Sequence, residues 1–322
     1  MNIAIALDKN FINPVCVLIT SLEFFNTENT YFIISSDLTE DDVLKIKKCI
    51  SKNSIIELIK IDETFFSKCP IRKNDHVSLA TYYRILLPQL LPQEIQKILY
   101  LDGDIICVAP IKDFYETEIS EYAAAVIPDL AYENKNYFER LNINATYGYF
   151  NAGVMLINLD YWRKNNISDA AMNFITENPD KCKLHDQDAL NKILFTKVKY
   201  DSIRYDLQRR FLEKNSNLKL EVLSSKEDIK KAAENPCLIH FSDYEKPWHK
   251  ECFYGFLPLW NFFWKKCPVN FKKTYRYKGK QKIKFQIKQI LKRFKLFNEN
   301  NSDYLIDFNT INNLIINNFQ KA

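Results

Sequence analysis

Short apolar runs alternate with longer amphipathic ones from the second residue onward. NIAIALD (2–8) and YFIISS (31–36) read as strands. PVCVLITSLEFFN (14–26) reads as a helix opening at Pro14, and TEDDVLKIKKCI (39–50) as a helix capped by Thr39. The pattern continues with a strand at 55–61 (IIELIKI), a helix around 79–91 and a strand at 97–102 (KILYLD). Further strand candidates lie at 123–128, 152–159 and 237–241. Strands alternating with helices of about a dozen residues predict an α/β fold, a largely parallel sheet covered on both faces. In such sheets ligands bind outside the carboxyl ends of the strands. Polar residues that abruptly stop an apolar strand are therefore the first candidates: Asp8, Asp102 to Asp104, Asp129 and His240.

At 322 residues, 47% hydrophobic and 26% charged, the chain has enough apolar material for a sizeable core without metal or disulfide staples. One domain is expected to about residue 267. Eight cysteines without a repeated spacing fit the reduced thiols of a cytoplasm. The N-terminus has no basic n-region, and no run approaches the roughly 18 apolar residues of a membrane span, so neither export nor spanning is expected. The net charge of +5 hides an asymmetry, because residues 272–297 carry 11 Lys or Arg and no acid, which leaves −6 for the rest. Ile283, Ile287, Ile290, Leu291 and Phe294 recur there at helical spacing. Residues 268–322 are thus expected to form a basic amphipathic helical tail that meets an anionic membrane surface. Nucleic acid is not expected, since no recognised module accompanies the charge. The Asn-rich stretch 298–322 carries no clear signal.

Neither G-x-G-x-x-G nor G-x-x-x-x-G-K occurs among the five glycines, so a bound phosphate must be neutralised by other means. YLDGDI supplies Asp102 and Asp104 as hard-cation ligands at a strand end, with Gly103 between them allowing close approach of the backbone to a ligand. HFSDYEKPWH adds His240 at the end of another strand and Lys246 six residues on. An imidazole beside two carboxylates suits Mn²⁺ better than Mg²⁺, which stays possible, and Lys246 offers phosphate a point charge. Blander readings stand beside these. D-G-D also fits an ordinary acidic turn, and HDQDALN a helix start capped by Asp186 with Asp188 on the dipole. Cys237, His240, His249 and Cys252 have zinc-like spacings, but an extended strand turns Cys237 and His240 to opposite faces.

Six segments in order make the sequence distinctive: AIALDKNF, SLATYYRILLPQLLP, YLDGDIIC, YFNAGVMLINLDYWR, HDQDALN and HFSDYEKPWH. Together they resemble retaining glycosyltransferases of family 8, with the GT-A fold, and especially the bacterial lipopolysaccharide galactosyl- and glucosyltransferases. The resemblance spans residues 1–265. It implies a UDP-hexose donor, UDP-glucose or UDP-galactose, bound with Mn²⁺, and an oligosaccharide or glycolipid acceptor. Carried onto matching positions, it implies that Ala6, Asp8 and Asn10 hold the uridine, and that Asp102, Asp104 and His240 hold the metal around Gly103. Arg84, Asp129, Asn151, Ala152, Gly153, Asp186 and Gln187 would line the donor sugar, Lys246 would meet the diphosphate, and His76 would contact ligand. The sequence departs from the family at Asp243, where glycine is usual, and a carboxylate there repels phosphate.

Breaking the sugar–phosphate bond places negative charge on the leaving UDP and positive charge on the sugar. The metal and Lys246 would stabilise the first. Asp129, Asp186, Gln187 and Asp188 are the electron-rich candidates for the second. An amide is a poor nucleophile, so the expected retaining route is same-face attack beside Gln187. The implied setting is cytoplasmic, peripheral on the inner face of the membrane. The alternative is a sugar- or nucleotide-binding protein of the same fold without turnover.

Overall fold

The computed structural model describes residues 1–72, 77–129, 136–213, 225–293 and 304–321. Ten strands form among these residues: β1 (Asn2–Ala6), β2 (Thr30–Ser35), β3 (Ile55–Lys60), β4 (Lys97–Leu101), β5 (Ile105–Cys107), β6 (Ala124–Pro128), β7 (Phe150–Asn158), β8 (Val198–Tyr200), β9 (Leu207–Gln208) and β10 (Leu238–His240). Seven build the main sheet in the order β3-β2-β1-β4-β7-β6-β8. All its pairs are parallel except those of β7, which runs antiparallel to β4 and β6. That reversal brings the start of β7 beside the carboxyl end of β4, where the Asp102 N–H donates to the Gly153 carbonyl at 2.8 Å. A small second sheet, β5-β10-β9, pairs β10 antiparallel to β5 and parallel to β9.

Helices follow where the pattern places them at the amino end. Ile12–Phe25 carries Pro14 in its first turn, and Glu40–Lys47 opens with a capping box between Thr39 and Asp42. The 79–91 segment is helical as expected, but it is not one α-helix. It is a 3₁₀ helix over Leu79–Leu86, followed by one α turn, Leu87–Leu90. Pro88 has no N–H to give Arg84, and the Arg84 side chain folds back onto the Thr81 carbonyl at 3.0 Å, so the ordinary i to i−4 ladder is interrupted. The tighter turn buries Tyr82, Tyr83, Arg84 and Ile85 together.

The Asn-rich C-terminus holds a helix, Phe308–Lys321, that packs into the main core. The Phe319 ring lies 5.3 Å from Phe25, 5.1 Å from Phe262 and 5.4 Å from Phe263. Gly255 makes room for Phe308, since a Cβ there would sit 2.3 Å from the ring. Between body and C-terminal helix runs the basic helix Gly279–Arg293. Phe285 anchors it against Phe253, while Ile283 and Ile287 are 57% and 52% exposed. Phe294 lies outside the described residues, as do the side chains of Ile290 and Leu291. No helix among the described residues is long and apolar enough to cross a membrane.

Candidate active site

Apolar strands that stop on polar residues converge on one end of the main sheet. Beyond β4 stand Asp102 and Asp104, beyond β6 Asp129, at the start of β7 Asn151 to Gly153, and at the end of β10 His240. Pairing between β5 and β10 sets His240 opposite Ile105, next to Asp104. Asp102, Asp104 and His240 each offer a ligand atom, all within 4.8 Å of one another. Two donors on opposite sides of one ion lie about 4.2 Å apart for bonds near 2.1 Å. The carboxylate, carboxylate and imidazole set therefore fits a divalent cation with a small adjustment. Among the described residues no other group of three His, Cys, Asp or Glu side chains is close enough to hold a metal, so the zinc reading finds no cluster.

Each of these three side chains is held from behind. Asp102 Oδ1 accepts from Tyr100 Oη at 2.9 Å and pairs with Arg84 at 3.1 Å. Asp104 Oδ1 lies 3.1 Å from His240 Nε2, and its Oδ2 lies 2.6 Å from Lys246 Nζ. Burial alone would raise the Asp104 pKa, yet Lys246 and His240 hold it well below the usual carboxylate range. Burial would lower that of His240, but the Asp104 and Asp206 carboxylates hold it well above the ordinary imidazole value. Asp206, fully buried, faces His240 Nδ1 at 2.9 Å and accepts from Gln208 Nε2 at 3.0 Å. Sequence reading missed this residue.

Gly153 is required by close approach. A Cβ there would lie 2.5 Å from His240 Cε1 and 2.7 Å from Asp102 Oδ2. Gly103 has a second constraint besides its place at the cavity. It lines the cavity, but its missing Cβ would meet Val15 at 2.9 Å and Phe11 at 3.2 Å, so its smallness serves packing against the first helix.

Two neighbouring cavities share these walls. One, about 180 Å³, is lined by Ala6, Asp8, Phe11, Gly103, Asp104 and Lys246, among others. Asp8 accepts from the Asn10 N–H at 2.8 Å, while Asn10 itself lines a neighbouring groove with Trp248 and Arg276 rather than this cavity. The second, about 370 Å³, adds Asp129, Asn151, Ala152, Asp186, Gln187 and His240. There Asp129 Oδ2 accepts from Asn151 at 2.8 Å and from Gln187 at 3.0 Å, and Gln187 Oε1 accepts from the Ala152 N–H at 3.0 Å. This net fixes Gln187 with its amide turned over the cavity wall.

Asp186 begins the helix Asp186–Leu194 but does not cap it; His185 holds the cap position at φ 56°. Asp186 instead pairs with Arg84 Nε at 2.9 Å and accepts from Thr81 at 2.7 Å, with burial raising its pKa. Arg84 thereby bridges Asp102 and Asp186 and also donates to the Ala152 carbonyl. Asp188 does not face the cavity. It is fully buried and locked by Arg140 at 2.8 Å and by Tyr149 at 2.8 Å, which removes it from the electron-rich candidates. Asp243 does not point away from the site. It lines both cavities and pairs with Arg210 at 3.2 Å. His76 lies outside the described residues.

Comparison with known proteins identifies the family. The family described as Glycosyl transferase family 8 matches residues 2–252. General stress protein A of Bacillus subtilis (strain 168) is 30% identical over 225 residues, covering 68% of this chain and 76% of that protein. The lipopolysaccharide 1,2-glucosyltransferase of Escherichia coli (strain K12) is 28% identical over 299 residues, 86% of this chain and 85% of its own. Among solved structures, the galactosyltransferase LgtC in complex with donor and acceptor sugar analogs superposes with a TM-score of 0.73. It covers 84% of this chain and 97% of its own at 22% identity, a likeness of fold.

Proposed function

The chain belongs to glycosyl transferase family 8 and is a glycosyltransferase, and on that premise we propose that it transfers a hexose from a UDP-sugar to a lipid-linked oligosaccharide with retention. The carrying observation is the meeting of Asp102, Asp104 and His240 within 4.8 Å, with Lys246 alongside, in a cavity that shares Asp102, Asp104 and Lys246 with its neighbour. The names of the lipopolysaccharide 1,2-glucosyltransferase and 1,3-galactosyltransferase relatives support a hexose and a glycolipid acceptor.

Asp102, Asp104 and His240 would hold Mn²⁺, or Mg²⁺ in its place. When bound, such an ion neutralises the charge that develops on a leaving diphosphate. Lys246 binds the same oxygens as a second positive charge, exchanging its contact with Asp104 for phosphate. Ala6, Asp8 and Phe11 form the nucleoside end of the smaller cavity, and Asn10 would contribute only from the adjoining groove. Asp129 and Gln187 present electron-rich oxygen to the sugar as it becomes cationic, and Asn151 orients Asp129. The Gln187 amide, tied at both ends, is a poor nucleophile, which favours same-face attack. Asp186 acts through Arg84, holding the guanidinium against Asp102.

Docking would use the basic helix Gly279–Arg293, with exposed Ile283 and Ile287 among lysines, on the anionic inner face of a membrane. Lys280, Lys282 and Lys284 changed together to Glu should abolish sedimentation with anionic vesicles while keeping donor hydrolysis.

The test of the activity is a panel of UDP-sugars, with and without Mn²⁺ or chelator, followed by UDP release. Metal-dependent release that Asp102→Asn and His240→Ala each eliminate supports the reading. Gln187→Ala should slow turnover and leave nucleotide affinity nearly intact. Donor affinity without any release would favour a binding protein, and a covalent sugar adduct on Gln187 would overturn same-face attack.

A further inference from the structure

Arg209 and Arg210 follow β9 directly, yet they do different things. Arg209 turns onto the body, pairing with Glu245 at 3.1 Å and lying over the Tyr304 ring. Arg210 is 60% exposed and lines the larger cavity. Parallel pairing sets Gln208 beside His240, so the two chains leave their strands side by side and carry Arg210 and Asp243 to the same rim. Asp243 grips the guanidinium at Nε, and the Nη groups make no hydrogen bond among the described residues. Among the described residues, the cavity's other two Arg or Lys side chains are already engaged, Arg84 with Asp102 and Asp186, Lys246 with Asp104.

A guanidinium fixed at one edge, with its two remaining NH₂ groups directed away from the anchor, is preorganised for bidentate capture of an oxyanion. Arg210 lines the cavity of Asp129 and Gln187 but not the one of Ala6, Asp8 and Phe11. It therefore stands on the sugar side, away from the nucleoside. We infer that Arg210, anchored by Asp243, is a specificity residue for the acceptor and selects a sugar that bears a phosphate or carboxylate near the attacking hydroxyl. This rests on the transferase reading above. It also gives the carboxylate at position 243 a purpose where it would otherwise only repel phosphate.

The experiment uses the full chain with Mn²⁺ and UDP, and glucose 6-phosphate and glucose as paired probes, with calorimetric affinities. The wild type should bind the phosphorylated sugar on the order of tenfold more tightly than glucose. Arg210→Ala should remove that preference and leave UDP affinity unchanged. Arg210→Lys should keep part of it, and Asp243→Gly, which removes the anchor, should weaken it. Equal affinity of the wild type for both probes, or a preference that survives Arg210→Ala, overturns the inference. A loss of UDP affinity in Arg210→Ala, with the preference intact, assigns the guanidinium to the donor diphosphate and also overturns it. A wild type that binds no UDP is a separate failure, which removes the transferase reading and this inference with it.

Discussion

The Asp206 carboxylate lies 2.9 Å from His240 Nδ1, fully buried at the back of the proposed metal site. An ionised carboxylate only accepts, so this contact holds a proton on Nδ1 and turns Nε2 toward Asp104 and Asp102. Asp206 is thus a positioning residue. It fixes the ring and the tautomer of a ligand that it does not replace.

Removing such a partner weakens metal binding roughly 10- to 100-fold in comparable sites. Asp206→Ala should lower Mn²⁺ affinity by that order in titrations followed by electron paramagnetic resonance. Asp206→Asn, whose amide oxygen still accepts from Nδ1, should recover most of the loss. Equal affinities in wild type and Asp206→Ala would refute the role.

Gly153 predicts a steric effect at the same centre. A Cβ would lie 2.5 Å from His240 Cε1, 2.7 Å from Asp102 Oδ2 and 2.8 Å from Asn151 Oδ1, so three side chains must move at once. Displacement of catalytic groups by about 1 Å costs on the order of 100-fold in rate. Gly153→Ala should therefore depress metal-dependent UDP release by about that factor, with far-UV circular dichroism unchanged. Gly103→Ala presses on Val15 and Phe11 instead, and should show its main effect in thermal stability.

The contrast between those two glycines indicates how much of the site was readable beforehand. Strands β1, β4, β6 and β10 are apolar runs stopped by a polar residue, and that pattern alone brought Asp8, Asp102, Asp129 and His240 forward. Gly103 stood out by its place in D-G-D, but the direction of its absent Cβ depends on the first helix, which no local pattern encodes. Asp206 was invisible for a related reason. Strand β9 has only two residues, too few for a period, and Asp206 meets His240 across 34 positions of sequence. Phe308, Ile311, Ile315 and Phe319 do recur at helical spacing, a signal diluted by the asparagines between them, of which Asn312 is itself buried. The 79–91 segment is helical, but its apolar residues suit any buried helix, and the 3₁₀ form follows from Pro88 and from the Arg84 contact with Thr81, which no local period shows.

Away from the site, Glu23 predicts a pH dependence of stability. Its carboxylate accepts from Tyr31 Oη at 2.7 Å, Ser54 Oγ at 2.8 Å and the Ser51 N–H at 2.9 Å. Burial would raise its pKa, but these donors, led by Ser51 and Tyr31, hold it below the ordinary 4.5. A depressed carboxylate contributes stability that is fully present above the unfolded value and is lost as pH falls through the lower folded value. Glu23→Gln removes that contribution. Urea midpoints measured from pH 6 down to pH 3 should therefore fall more steeply for the wild type than for Glu23→Gln below about pH 4.5. Parallel curves would exclude Glu23 as a source of the acid sensitivity. The group is half-exposed, so the difference is modest.

The C-terminal helix makes the last prediction, because its packing conflicts with a tail that can be removed freely. Phe319 is buried against Phe24, Phe25, Phe262 and Phe263, which joins the end of the chain to the helix that starts at Ile12. Truncating a buried Phe to Ala costs about 3–5 kcal/mol through lost transfer energy and the cavity left behind. Phe319→Ala should lower the urea midpoint by an amount of that order, whereas Ile283→Ala, on the exposed face of the basic helix, should change stability by less than about 0.5 kcal/mol. If the two variants unfold alike, at the wild-type midpoint, Phe308–Lys321 contributes nothing to the core and the last helix is an appendage. If they separate as expected, membrane docking must be tested by surface charge changes in the intact chain, since a truncation before residue 308 would expose Phe24, Phe25 and Phe263 and confuse lost docking with lost folding.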